Sequence, residues 1–127
     1  MISTAGAGMR IATVCLDCSD VHAMADFYGR LLGWEICAQE PGWVLMRDPN
    51  GGTGLSFQSE ETYQSPTWPD QPHRQAKMLH LDIQVDDLEA GLQHALDAGA
   101  TLADHQPQDG VRVLMDPAGH PFCLFID

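Results

Sequence analysis

Basic residues are scarce in this chain. Six Lys and Arg stand against 18 Asp and Glu, for a formal net charge of -12. A surface of that sign repels phosphate backbones and anionic lipids, so neither nucleic acid nor a membrane surface is expected as a partner. No apolar run approaches the roughly 20 residues that a membrane helix needs. The opening residues, MISTAGAGMR, have no early basic region and no apolar stretch, so they do not read as a secretory signal. Residues 1–9 read instead as a flexible N-terminal extension. The four cysteines (Cys15, Cys18, Cys37, Cys123) lack the spacing of a disulfide framework. Free thiols in a cytoplasmic protein are the simplest account of them. Cys15-x-x-Cys18 is not a zinc knuckle, because strand residues three apart face opposite ways. Gly51-Gly52-Thr53-Gly54 lacks the lysine and the following helix of a phosphate loop. No nucleophile-elbow motif is present.

The length of 127 residues fits one domain, and a hydrophobic content of 44% with 19% charged residues fits an ordinary water-soluble one. A globule of this size buries roughly two-thirds of its unfolded surface, so its core needs no disulfides.

The chain states one pattern twice. Residues 11–32 read as a strand followed by an Asp-initiated helix that stops at Gly33, and residues 78–98 read the same way and stop at Gly99. Each is followed by short apolar segments and an Asp-Pro-x-Gly turn, at Asp48 and at Asp116. Asp20 and Asp87 lie 67 positions apart, as do Thr13 and His80. Duplicated modules of this size can face one another across one cavity.

Local patterns fill in the elements. Over residues 10–18, Val14, Leu16 and Cys18 alternate with Thr13, Cys15 and Asp17, which predicts a half-buried strand. Asp20 is placed to cap the next helix, whose apolar stripe is Met24, Phe27, Tyr28, Leu31 and Leu32. Strands are predicted over 34–39, 43–47 and 54–58. Residues 59–77 carry three prolines and no periodicity, and read as a linker in which Tyr63 and Trp68 either cover a ligand or staple the loop to the body. The second half repeats the order: a strand with Leu79, Leu81, Ile83 and Val85 on one face and His80, Asp82 and Gln84 on the other, a helix after Asp87 with the stripe Leu88, Leu92, Ala95 and Leu96, then strands over 101–106, 111–115 and 122–126. Module one thus runs over 10–58 and module two over 78–127.

The segments ADFYGRLLGW (25–34), HLDIQVDDLEA (80–90), ALDAGA (95–100) and DPAGHPFCLF (116–125) resemble the vicinal oxygen chelate superfamily, which includes glyoxalase I, bleomycin-resistance proteins and extradiol dioxygenases. The resemblance is to its glyoxalase-like domain branch. It implies an α+β fold of two βαβββ modules forming a curved, mostly antiparallel sheet around one concave cavity, with helices on the convex side. It also implies a homodimer, with the modules paired within one chain or by exchange between chains. Alternation agrees: Val14, Leu16, Leu81 and Ile83 want the helices, which leaves the polar faces to the cavity.

The superfamily's metal enzymes hold a divalent ion with His, Glu or Gln from the first and last strands of each module. By resemblance those positions here are Thr13, Ser56 or Gln58, His80 and Cys123. Only His80 has the usual ligand type. A catalytic metal needs about three protein ligands, and Mg and Mn prefer oxygen donors, so no metal and no other cofactor is expected. The expected function is small-molecule binding of the glyoxalase/bleomycin-resistance type. The candidate ligand-binding residues are Thr13, Gln58, His80 and Asp82 as polar contacts, with Trp43, Trp68, Cys123 and Phe125 as walls. The alternative is a divalent-metal-dependent lyase, isomerase or dioxygenase. Of the remaining histidines, His22, His94 and His105 are expected on surfaces, and His73 and His120 in a loop and a turn.

Overall fold

Residues 6–127 are described by a computed structural model, so only part of the N-terminal extension, residues 6–9, lies within the described residues; residues 1–5 fall outside them. Module one contains β1 (Thr13–Cys18), α1 (Val21–Leu32), β2 (Ile36–Glu40), β3 (Trp43–Met46) and β4 (Gly54–Ser59). Module two contains β5 (Leu81–Gln84), α2 (Leu88–Ala98), β6 (Thr101–Leu102), β7 (Val111–Met115) and β8 (Pro121–Phe125). Each module forms a four-stranded mixed sheet, in the orders β1-β4-β3-β2 and β5-β8-β7-β6. The first strand runs parallel to the last, and the other pairs are antiparallel. The α+β fold of two βαβββ modules expected from the sequence is therefore present.

Strand register repeats the sequence offset. Cys15 pairs with Ser56 across β1 and β4, and Asp82 pairs with Cys123 across β5 and β8, each 67 positions further on. The strand boundaries are tighter than alternation alone indicated. Alternation continues through residues 10–12 and 78–80, but the register with the neighbouring strand begins at Thr13 opposite Gly54 and at Leu81 opposite Phe122, so β1 starts at Thr13 and β5 at Leu81. His80 therefore sits one residue before β5, and Asp82 within it. β6 is only two residues long, where a strand over 101–106 was expected. Gln106 explains the early stop: its side-chain amide donates to Ala103 O and Val113 O, both at 2.8 Å, and its Oε1 accepts from Val113 N at 2.9 Å. After a last backbone bond from Ala103 N to Val113 O at 3.0 Å, the side chain takes the place of the ladder.

Both helices begin and end as read. Asp20 Oδ1 accepts from His22 N and Ala23 N, and Asp87 Oδ1 accepts from Ala90 N. Gly33 and Gly99 close the helices in the left-handed region, with φ of 73° and 118°. The helices pack on each other and on the sheets, and one core joins both modules. Phe27 meets Tyr28 edge-on at 4.8 Å and Phe122 at 5.9 Å, while Tyr28 stacks on Phe57 at 5.5 Å. These rings belong to α1, β4 and β8, so the modules share an aromatic centre. Arg30 adds a polar clasp, donating from Nε and Nη2 to Ala98 O at 3.0 and 2.8 Å. On β1, Leu16 and Cys18 are buried while Cys15 and Asp17 are exposed, as the alternation demanded.

Candidate functional site

The linker is stapled to module two. Tyr63 Oη and Ser65 Oγ both donate to Ala118 O at 2.7 Å, on the second Asp-Pro turn. Trp68 Nε1 donates to His105 O at 3.0 Å. Thr67 N donates to Gln75 O at 3.0 Å, folding the segment on itself. Lys77, the chain's one lysine, lies 4.7 Å from the centre of the Trp68 ring and 3.4 Å from Asp70 Oδ2. Beyond Ser59, the last residue of β4, the linker is thus a strap with fixed anchors, and no helix or strand.

Beneath this strap is a cavity of about 410 Å³. The polar face of β1 supplies Cys15 and Asp17, the strap supplies Glu60, Tyr63 and Lys77, and module two supplies Leu79 and His120. Its volume lies in the range of small-molecule pockets.

His120 is held from behind. Its Nδ1 lies 3.0 Å from Asp116 Oδ2, and its Nε2 lies 3.3 Å from Tyr63 Oη. Asp116 is buried and also accepts from Tyr28 Oη at 2.8 Å. With the carboxylate accepting, Nδ1 carries the donated proton and Nε2 faces Tyr63. Burial, then the charge of Asp116, pushes the Tyr63 phenol up to about 12. The same two causes, burial first, raise Tyr28 well above its ordinary range. Tyr63 is therefore a neutral hydroxyl at the cavity wall near neutral pH.

None of the eight residues named from the sequence lines this cavity. They fall into separate groups. Thr13 Oγ1 lies 3.1 Å from Ser56 Oγ on the face of module one. Gln58 and Trp43 line a shallower recess with Glu40, Pro41, Gly42 and Ser59. His80, Asp82 and Cys123 come together on module two, with His80 Nε2 3.2 Å from Asp82 Oδ1. Phe125 pairs with Gln84 further along β8. Trp68 acts on the cavity through Lys77. Sequence reading placed Cys15 and Asp17 on the face left to the cavity, where they lie, but missed Lys77 and His120 as site residues. The signal for Lys77 was its singularity in a chain so poor in lysine. The signal for His120 was the difference between the two Asp-Pro turns, since the position four after Asp48 is Gly52.

The donor set does not fit an oxygen-bound divalent ion. Thr13 and Ser56 offer neutral hydroxyls already bonded to each other. Cys123 offers a thiol, which burial, and then the charge of Asp82, pushes up from its ordinary value. Mg and Mn call for several hard oxygen ligands.

Comparisons with known proteins agree with the architecture. A family profile for "Glyoxalase-like domain" matches residues 13–125. No curated protein matches the chain. Among solved structures, a glyoxalase/bleomycin resistance protein/dioxygenase family enzyme from Burkholderia phytofirmans PsJN superposes with a TM-score of 0.71 at 20% identity, covering 93% of this chain and 98% of that one. TnmS3, an antibiotic binding protein from Streptomyces sp. CB03234, gives a TM-score of 0.58 at 19% identity, covering 93% and 95%. The fosfomycin resistance protein FosX from Listeria monocytogenes, solved with Mn(II), gives 0.68 at 12% identity, covering 91% and 88%. At such identities the structures share the fold alone. With the profile spanning nearly the whole chain and the fold repeated in these structures, the chain belongs to the glyoxalase-like domain family of the vicinal oxygen chelate superfamily.

Proposed function

We propose that this chain is a small-molecule-binding protein of the glyoxalase/bleomycin-resistance type, which holds its ligand in the cavity beneath the strap and uses no catalytic divalent ion. The cavity carries the reading. Its volume of about 410 Å³ suits a small organic molecule, and its walls mix apolar surface with a few placed polar groups. Tyr63 presents a neutral hydroxyl and a ring, His120 is fixed by Asp116, and Lys77 is seated on Trp68. Asp17 and Glu60 outnumber Lys77 among the charged lining groups, so neutral or cationic ligands are favoured over strongly anionic ones. TnmS3, an antibiotic binding protein with this fold, supports a binding role.

A homodimer in the cytoplasm belongs to the same proposal. Met9, Ile11, Met78 and Leu79 are exposed, Met78 to 91%, and a second copy would cover such surface. The four thiols are free, which suits a reducing compartment.

A thermal-shift screen in excess chelator, over small aromatics and antibiotics, tests the proposal. A ligand of the folded state raises the melting temperature without added metal. The shift is expected to fall sharply in Tyr63→Ala and Lys77→Ala. Stabilisation that appears only with Mg²⁺ or Mn²⁺ would favour the metal-dependent enzyme instead.

A further inference from the structure

We infer that Asn50, on the first Asp-Pro turn, is a site of spontaneous covalent modification, losing its side-chain nitrogen through a cyclic imide to become aspartyl and isoaspartyl. Asn50 is the chain's one asparagine, and Gly51 follows it. The reaction needs a backbone nitrogen that can reach the side-chain carbonyl carbon of the residue before it. Glycine, with no Cβ and the widest backbone freedom, obstructs that approach least.

The turn presents both reacting groups to water. Residues 49–53 are exposed. Asp48 Oδ1 accepts from the backbone N of Asn50 at 2.8 Å, so the carboxylate holds the main chain and leaves the Asn50 side chain to solvent. Gly51 sits at φ 86°, and a Cβ added there would meet nothing within 4 Å. The attacking nitrogen is restrained by its bond to Asp48 O at 3.0 Å. An exposed bond at a loop tip opens at little cost in free energy. Once it is open, solvent base takes the Gly51 amide proton and the nitrogen attacks Asn50 Cγ. The N–Cγ bond forms, the Cγ–Nδ2 bond breaks, and ammonia leaves. Water then opens the imide. Cleavage of the N–Cγ bond gives aspartate. Cleavage between Gly51 N and the Asn50 carbonyl carbon gives isoaspartate, whose main chain runs through Cβ and Cγ. The sum is one water consumed, one ammonia released and one negative charge gained beside Asp48.

The second Asp-Pro turn provides an internal control. Gly119 has φ 84°, its N donates to Asp116 O at 2.9 Å, and Asp116 Oδ1 accepts from Ala118 N at 2.9 Å. Ala118 stands where the first turn has Asn50, so the turn itself does not require an asparagine. The strap also covers that turn, since a Cβ added at Gly119 would lie 2.8 Å from Ser65 Cβ. The isoaspartyl form lengthens the link between β3 and β4 by one backbone atom. That link has fixed ends: Met46 pairs with Leu55, and Gly54 N donates to Ala12 O at 2.9 Å. The turn bond from Gly51 to Asp48 is therefore lost while the strand register stays. The turn lies outside the cavity lining, so this inference stands apart from the ligand.

Peptide mass spectrometry of the native full chain, kept warm at mildly alkaline pH in heavy-oxygen water, tests it. The expected result is one labelled oxygen at residue 50 of each converted chain, with the isoaspartyl form a substrate for an isoaspartyl methyltransferase. Conversion should quicken as pH rises, run faster in urea, where the turn is open, and vanish in Asn50→Ala, which copies Ala118. Aged protein should unfold at lower urea concentration than fresh protein. Asn50 kept intact in the native chain while the urea-unfolded chain converts would overturn the assignment. Intact Asn50 under both conditions would overturn it as well.

Discussion

The carboxyl group of Asp116 collects donors from three directions. Tyr28 Oη reaches it at 2.8 Å from α1, its own turn supplies Ala118 N and His120 N, and the His120 ring closes in at 3.0 Å. Its charge also acts on its neighbours. After burial itself, it is the main cause that lifts Cys18 to about 11 and Tyr63 to about 12, and that raises Tyr28 well above its ordinary range. The pH consequence follows from linkage. Each of these groups is harder to ionise folded than unfolded, so its contribution is complete below its unfolded pKa. It is lost as pH rises, from about 9 to 11 for Cys18 and from about 10 to 12 for Tyr63. Tyr28 and Tyr63 are the chain's two tyrosines. Tyrosinate absorbance should therefore show no native-state inflection near pH 10, and should rise only with unfolding. A reversible titration near 10 in folded protein would refute this. At the same scale, Tyr28→Phe removes a hydrogen bond to a buried carboxylate, and should cost about 1.5–3 kcal/mol in chemical denaturation.

At the scale of elements, the strands are tied to one another by close backbone approach as well as by pattern. Gly54 opens β4 where an added Cβ would lie 2.5 Å from Met46 O and 3.2 Å from the Arg47 Cα. Both neighbours are backbone, so the strand pair itself would have to part. Gly54→Ala should destabilise by about 1–3 kcal/mol in urea unfolding, without changing the fold. Asp20→Ala, which removes a helix cap on the same module, should cost about 1 kcal/mol. Element order, both helix caps and the duplicate register were legible in the sequence, because alternation, an Asp before an apolar stripe, and a Gly after it are local signals. The end of β6 was not. It depends on Gln106 meeting the backbone of β7, a contact between residues that no local period connects.

Across the whole molecule, the same division between local and assembled information explains the site. His80, Asp82 and Cys123 were legible as neighbours because the repeat fixed their register. The cavity was not, because its walls come from β1, the strap and the second Asp-Pro turn, and the strap carries no period that would place it. Tyr63 and Trp68 had two readings, as ligand cover or as staples. Both act as staples, and Tyr63 lines the cavity as well. The most direct test of this account is isothermal titration of the tightest small-molecule binder into chelator-treated protein, compared with Tyr63→Ala and Lys77→Ala. The account predicts saturable binding to the wild-type chain without metal, weakened by at least about tenfold in each variant, or about 1.4 kcal/mol. Binding that needs Mg²⁺ or Mn²⁺, or that is indifferent to both substitutions while the variants remain folded, would contradict it.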